Sequence, residues 1–160
     1  EDEYSGTKPI GIKLRSMIIM LDFDGVLHPE PATAEQAFCS LPHLHTILLA
    51  RPGARVVVTS DWRLKHSVAQ LSELLFGGTP SLRGRFAGVT PEVPEYRYEY
   101  RAREREVEAW LQANGMPEWI AVDDVAGHYT HGSPKVVLID YRTGLVSQDV
   151  DRILELIPTK

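Results

Sequence analysis

Four stretches of this chain are strand-like and apolar without alternation: MIIML (17–21), ARVVVTS (54–60), EWIAVDD (118–124) and KVVLIDY (135–141). A strand solvated on one face alternates apolar with polar residues, whereas one buried on both faces reads as a continuous apolar run. Helical patterns fall between these runs. HLHTILLA follows Pro42, and LKHSVAQLSELLF (64–76) spaces Val68, Leu71, Leu74 and Leu75 as one helix face closed by a Gly-Gly pair. RAREREVEAWLQANG predicts a charged helix, and SQDVDRILELI predicts a closing helix capped by Ser147. The segment from 77 to 100 reads as loop with a short edge strand at 86–89. Strands alternating with helices predict an α/β chain: a Rossmann-like, mostly parallel sheet with helices on both faces.

A chain of 160 residues that is 43% hydrophobic can bury the core of one such domain. We assign it to 17–160, with 1–16 as an N-terminal tail or cloning remnant that precedes the first methionine. No apolar run approaches the roughly 20 residues of a membrane span, and no signal-peptide pattern opens the chain, so a cytoplasmic protein without membrane association is expected. The one cysteine, Cys39, forms no internal disulfide or multi-thiolate site and reads as a small buried residue. A formal net charge of −5 disfavours broad attachment to a nucleic-acid backbone.

Ligands of open parallel sheets bind beyond the carboxyl ends of the strands. Here those ends are polar on three strands: Asp22 and Asp24 on the first, Thr59, Ser60 and Asp61 on the second, Asp123 and Asp124 on the third. A lone Asp at a strand end is an ordinary turn or cap residue. The carboxylates of Asp22, Asp24, Asp123 and Asp124 converging on one edge repel one another, and a divalent cation with all-oxygen ligands, Mg²⁺, is the natural neutraliser.

DFDGVL after a strand, VVVTS ending a second, a basic residue on a later helix and VDD after a third together resemble the haloacid dehalogenase (HAD) superfamily of aspartyl-nucleophile phosphatases. SDWR, GVTP, the charged helix ending AWL and TGLVSQDV resemble, more narrowly, the small HAD domains found in or near RNA-repair proteins. The resemblance spans about 17–157. It implies that Asp22 is the nucleophile and that Asp24 protonates the leaving oxygen and then activates water. It also implies Mg²⁺ held by the Asp22 carboxylate, the Asp24 main-chain carbonyl and Asp123, with Asp124 supporting the hydration of the ion. Gly25 lets the chain turn away. Thr59 or Ser60, Thr59 being better placed, donates a hydroxyl to the phosphate. Strict members carry a lysine before the third strand. No lysine lies between Lys65 and Lys135, so an arginine, Arg103 ahead of Arg101, is the expected phosphate cation.

Other candidates read as bland. Asp61 fits a helix N-cap, and Arg63, in a first turn, fits a solvated side chain more than a phosphate contact. His28 fits packing more than the substrate mouth. His43 with His45 and His128 with His131 lack a third ligand for zinc. Tyr96, Tyr98 and Tyr100, with Trp110 and Trp119, fit packing or surface contacts. The connections leave no room for an independent cap, which predicts a nearly capless HAD fold open to large substrates. Three readings follow: a phosphatase acting on phosphomonoesters, with nucleotides or nucleic-acid ends favoured; a catalytically weak or inactive phosphate-binding or partner-docking module; and another enzyme on the same scaffold, such as a phosphotransferase.

Overall fold

The structure, a computed structural model, describes residues 16–159. The expected tail, 1–16, lies outside the described residues except for Ser16. Five strands form one sheet: β1 (Met17–Leu21), β2 (Ala54–Val58), β3 (Phe86–Val89), β4 (Trp119–Asp123) and β5 (Val136–Leu138). Their order is β3-β2-β1-β4-β5, and every pairing is parallel. Four α-helices connect and flank them: α1 (Leu41–Ala50), α2 (Val68–Phe76), α3 (Ala102–Ala113) and α4 (Ser147–Leu156). None of the described helices is long and apolar enough to cross a membrane.

Strand alternation splits the core. Met17, Ile19 and Leu21 of β1 point to one face, where Leu44 and Leu48 of α1, Leu71 and Leu75 of α2, and Val150 and Ile153 of α4 pack. Ile18 and Met20 point to the other, covered by Val107 and Leu111 of α3 with the Tyr129 ring. Both faces are dry, which is why the strands read as unbroken apolar runs. From β1 the chain steps outward to β2 and β3, then returns to place β4 on the other side of β1. That reversal lies between β1 and β4, so the crevice at their carboxyl ends falls between Asp22 and Asp123.

Several boundaries depart from the sequence reading. The helix expected over 64–76 is two elements: a short 3₁₀ turn (Asp61–Leu64), then α2, whose Ser67 side chain accepts from the Gln70 N–H while Gln70 accepts from the Ser67 N–H. Ser147 is the first residue of α4 and not its cap; Asp149 accepts from the Val146 N–H instead, at 2.9 Å. Asp61 is not an N-cap, because the Ser60 side chain holds the Trp62 N–H. Cys39 is exposed, not buried. The connection from Asp24 to Ala54 contains one α-helix and a single 3₁₀ turn (Ala34–Gln36), in keeping with a nearly capless HAD fold.

Candidate active site

Asp22 follows the last residue of β1, and its N–H donates to Val122 O at 3.1 Å, so the sheet ladder carries it to the crevice floor. It is 7% exposed, and its Oδ1 accepts from the Phe23 N–H at 2.9 Å. Asp123 ends β4 fully buried, with Oδ1 accepting from the Val125 N–H at 2.8 Å. Carboxylate oxygens of Asp22, Asp123 and Asp124 all lie within 4.8 Å of one another. Gly25, at φ +78°, makes that approach possible, since a Cβ there would overlap the Asp124 carboxylate.

Burial, then the Asp123 and Asp124 charges, pushes the Asp22 carboxyl well above the ordinary carboxylate range, and Arg103 opposes this only in part. Burial and Asp123 also raise Asp124. Three carboxylates, two buried and one half-buried, of which Asp22 and Asp124 are both pushed above the ordinary range, fit a divalent cation, and their all-oxygen donors fit Mg²⁺.

The second strand supplies hydroxyls. Thr59 N–H donates to Leu21 O at 2.9 Å, which aligns the end of β2 with Asp22. Its buried Oγ1 has no hydrogen-bond partner among the described residues, whereas the Ser60 oxygen is engaged by the Trp62 N–H at 3.2 Å. Thr59 is thus the less engaged of the two hydroxyls, with the buried Tyr129 hydroxyl beside it.

Arg63 overturns its expectation. It is 8% exposed and neither solvated nor open to phosphate: Nε donates to Thr90 O (2.9 Å), Nη1 to Thr59 O and Ser60 O (2.7 and 3.1 Å), and Nη2 to Glu106 Oε2 (2.6 Å). It pins the loop after β2 to the segment after β3 and to α3. Arg103 lies beside it, with Nη1 on Glu106 Oε1 at 3.1 Å and Nη2 on Asp61 Oδ1 at 3.0 Å. Burial disfavours the Arg103 charge, but Asp61, Asp22 and Glu106 outweigh it and hold the guanidinium above its ordinary value. Arg103 therefore sits in the field of Asp22. Arg101 faces away, on Glu104 and Glu108. A cavity of about 260 Å³ bordered by Asp61, Arg97, Arg103 and His128 opens beside them.

Asp24, whose side chain is 48% exposed, stands at the rim and accepts from Trp62 Nε1 at 3.1 Å and from His28 Nε2 at 2.7 Å. Sequence reasoning passed over both partners, and also His128, whose Nδ1 lies 3.0 Å from Asp123 Oδ2. The spacing of His28 four residues beyond Asp24 and of His128 five beyond Asp123 was the one signal available. His45, by contrast, contacts Leu75 O at 2.7 Å and has a packing role.

Neither the curated proteins nor the solved structures yield a match to this chain. Residues 18–150 match the family described as the HAD domain in Swiss Army Knife RNA repair proteins, a span that holds all of the sheet but Met17, together with Asp22, Asp24, Thr59, Arg103, Asp123 and Asp124. With that much of its length covered, the chain belongs to this family of HAD domains.

Proposed function

We propose that this HAD domain is a Mg²⁺-dependent phosphatase that hydrolyses phosphomonoesters through an aspartyl-phosphate on Asp22. The observation that carries the reading is the Asp22–Asp123–Asp124 cluster, largely buried, with the Thr59 hydroxyl beside it and a second, half-exposed acid two residues after Asp22. Asp22, Asp123, Asp124 and the Asp24 main-chain carbonyl would hold Mg²⁺, which supplies positive charge against the phosphoryl oxygens. Thr59 donates its hydroxyl to a non-bridging oxygen, and Arg103 contributes a fixed cation. The Asp22 carboxylate forms its bond to phosphorus as the ester P–O bond breaks, and Asp24 gives its proton to the leaving oxygen. Asp24 then takes a proton from the water that attacks the aspartyl-phosphate, which returns Asp22 and releases phosphate.

The family's RNA-repair setting and the absence of a cap domain between Asp24 and Ala54 support nucleotide or nucleic-acid ends as substrates. The test is phosphate release from p-nitrophenyl phosphate and from a phosphate-terminated oligonucleotide, with Mg²⁺ or EDTA, beside Asp22→Asn. Turnover that needs Mg²⁺ and vanishes in Asp22→Asn is expected. A second reading, a phosphate-binding module without turnover, draws on the engagement of Arg103 by two carboxylates. Tight binding of the oligonucleotide with no hydrolysis by the wild-type protein would establish that reading instead.

A further inference from the structure

Asp24 is gripped on one oxygen only. Oδ1 accepts from His28 Nε2 at 2.7 Å and from Trp62 Nε1 at 3.1 Å, while Oδ2 has no hydrogen-bond partner among the described residues. The His28 ring is itself oriented: its Nδ1 accepts from the Phe38 N–H at 3.3 Å, and since a main-chain N–H can only donate, the ring proton resides on Nε2 and is aimed at Asp24. Phe38 delivers that N–H from a left-handed conformation, φ 57°, which bulky residues seldom adopt. Such an outlier points to a local demand strong enough to hold it. Aromatic packing fixes the other donor. The Trp62 ring lies 5.7 Å from Phe23, edge-on to Phe38 at 5.3 Å, and stacked on His66 at 5.1 Å. His28 is 4% exposed, so its donor is shielded from competing water.

We infer that His28 and Trp62 are positioning residues that clamp Oδ1 of Asp24 and thereby make Oδ2 the atom that carries the proton to and from the leaving group. This assignment rests on the phosphatase reading for its catalytic consequence, while the clamp itself is a structural statement. Two N–H donors occupy the useful directions at Oδ1, so a proton placed there would displace at least one of them. The proton that leaves Oδ2 goes to the ester oxygen as the P–O bond breaks and the Asp22–phosphorus bond forms, and Oδ2 regains a proton from water in the second step. Neither positioning residue is among those proposed to hold the phosphate or the cation, so both act on proton transfer and not on binding.

The discriminating variable is leaving-group basicity. Nitrophenolate departs without protonation, whereas an alkoxide does not, and kcat/KM reports the first phosphoryl transfer in isolation. In Trp62→Phe, which keeps the ring and deletes the donor, and in His28→Phe, kcat/KM for an alkyl phosphate should fall by about 10-fold or more, a share of the full general-acid effect. For p-nitrophenyl phosphate the loss should stay within about 3-fold, because its departure does not call on the acid. KM should hold, and His28→Gln, which keeps an N–H near the place of Nε2, should recover most of the alkyl-phosphate activity. Equal losses on both substrates, or none, would overturn the assignment. Independently of turnover, ¹⁵N NMR of the His28 ring should show the Nε2–H tautomer, and an Nδ1–H tautomer would refute the clamp outright. Wild-type protein inert toward both esters would sink the phosphatase reading alone, with the tautomer then deciding the clamp.

Discussion

Replacing Asp22 by asparagine should destroy activity and yet stabilise the metal-free protein. The two side chains have the same shape, and asparagine keeps an oxygen for the Phe23 N–H that Asp22 accepts at 2.9 Å. What changes is charge. Two unit charges at the 4.8 Å limit of the cluster repel by about 3.5 kcal/mol at an effective dielectric constant of about 20. Removing the Asp22 charge erases two of the three pairs, about 7 kcal/mol by the same arithmetic at that separation. The raised Asp22 carboxyl relieves part of that cost by favouring its protonated form, and Arg103 offsets more, so the gain at neutral pH should be only about 2 kcal/mol. For a chain of this length that is about 4–8 °C in Tm. The sign with pH follows from the direction of the shift: a carboxyl raised in the folded state contributes stability in full below its ordinary value of 3.8, and that stability is lost as pH climbs through the raised value. In EDTA the variant should therefore pull ahead of wild type as pH rises. Mg²⁺ at about 100 times its dissociation constant adds about 2.7 kcal/mol to a protein that binds it, and the variant, short of one ligand, should gain much less. Differential scanning calorimetry in EDTA and in Mg²⁺ reads both effects. A variant that melts at or below wild type in EDTA near neutral pH, or that gains as much from Mg²⁺, would refute the reasoning.

Asp24→Asn should retain Mg²⁺ binding by titration calorimetry, because the proposed ligand there is a main-chain carbonyl, while turnover falls by roughly 10²-fold or more; wild-type-like turnover would exclude the acid–base role. Arg103→Ala should cut phosphatase activity sharply and Arg105→Ala should not, since the Arg105 guanidinium is stacked 4.2 Å over the Tyr96 ring; equal, small effects in steady-state assays would remove Arg103 from the mechanism. Arg63→Ala strips the partner from Glu106 Oε2 and from the Thr59, Ser60 and Thr90 carbonyls, and urea unfolding should register a loss of about 3–5 kcal/mol, the scale for breaking a buried pair.

The strands were legible because burial on both faces leaves a signature independent of any partner: β1 and β3 have the bounds that the residues suggest, while β2 stops before Thr59, β4 loses Glu118 and Asp124, and β5 loses Lys135 and residues 139–141. The polar strand ends were legible for the same reason, since parallel strands must deliver their carboxyl ends to one edge. Helix starts fared worse where two signals competed. Leu64 extends the apolar spacing of α2 backward, yet Ser67 and Gln70 form a capping box that the sequence displays and that determines where the helix begins. At α4 the serine was the obvious cap, but Asp149 reaches the free N–H. Side-chain fates set by distant residues were not legible at all. The partners of Arg63 lie 27 and 43 residues away, and Trp62 meets Asp24 across 38. No local pattern distinguishes such residues from solvated ones; only the packed sheet brings them together.

The arginine proposed in place of the usual lysine is held in a way that bears on how the site treats charge. Arg63, Glu106, Arg103 and Asp61 form a continuous chain of ion pairs, with Arg63 on Glu106 at 2.6 Å, Arg103 on Glu106 at 3.1 Å and Arg103 on Asp61 at 3.0 Å. The two cations and two anions sum to zero. An isolated lysine ammonium would present a whole charge to the phosphate, whereas Arg103 presents a guanidinium whose Nη1 and Nη2 already answer carboxylates, with Nε unpartnered among the described residues. A lysine ammonium lacks the planar fork that fixes Arg103 between Asp61 and Glu106, so the arginine gains rigidity at the cost of field strength. On the proposed mechanism the charge on a phosphate dianion must then be balanced chiefly by the cation at Asp22, Asp123 and Asp124 and by the Thr59 hydroxyl. Activity in such a site depends more steeply on the metal than it would beside a free lysine, and Asp61, on the exposed side of the chain, becomes the residue that sets how much of the Arg103 charge the substrate feels.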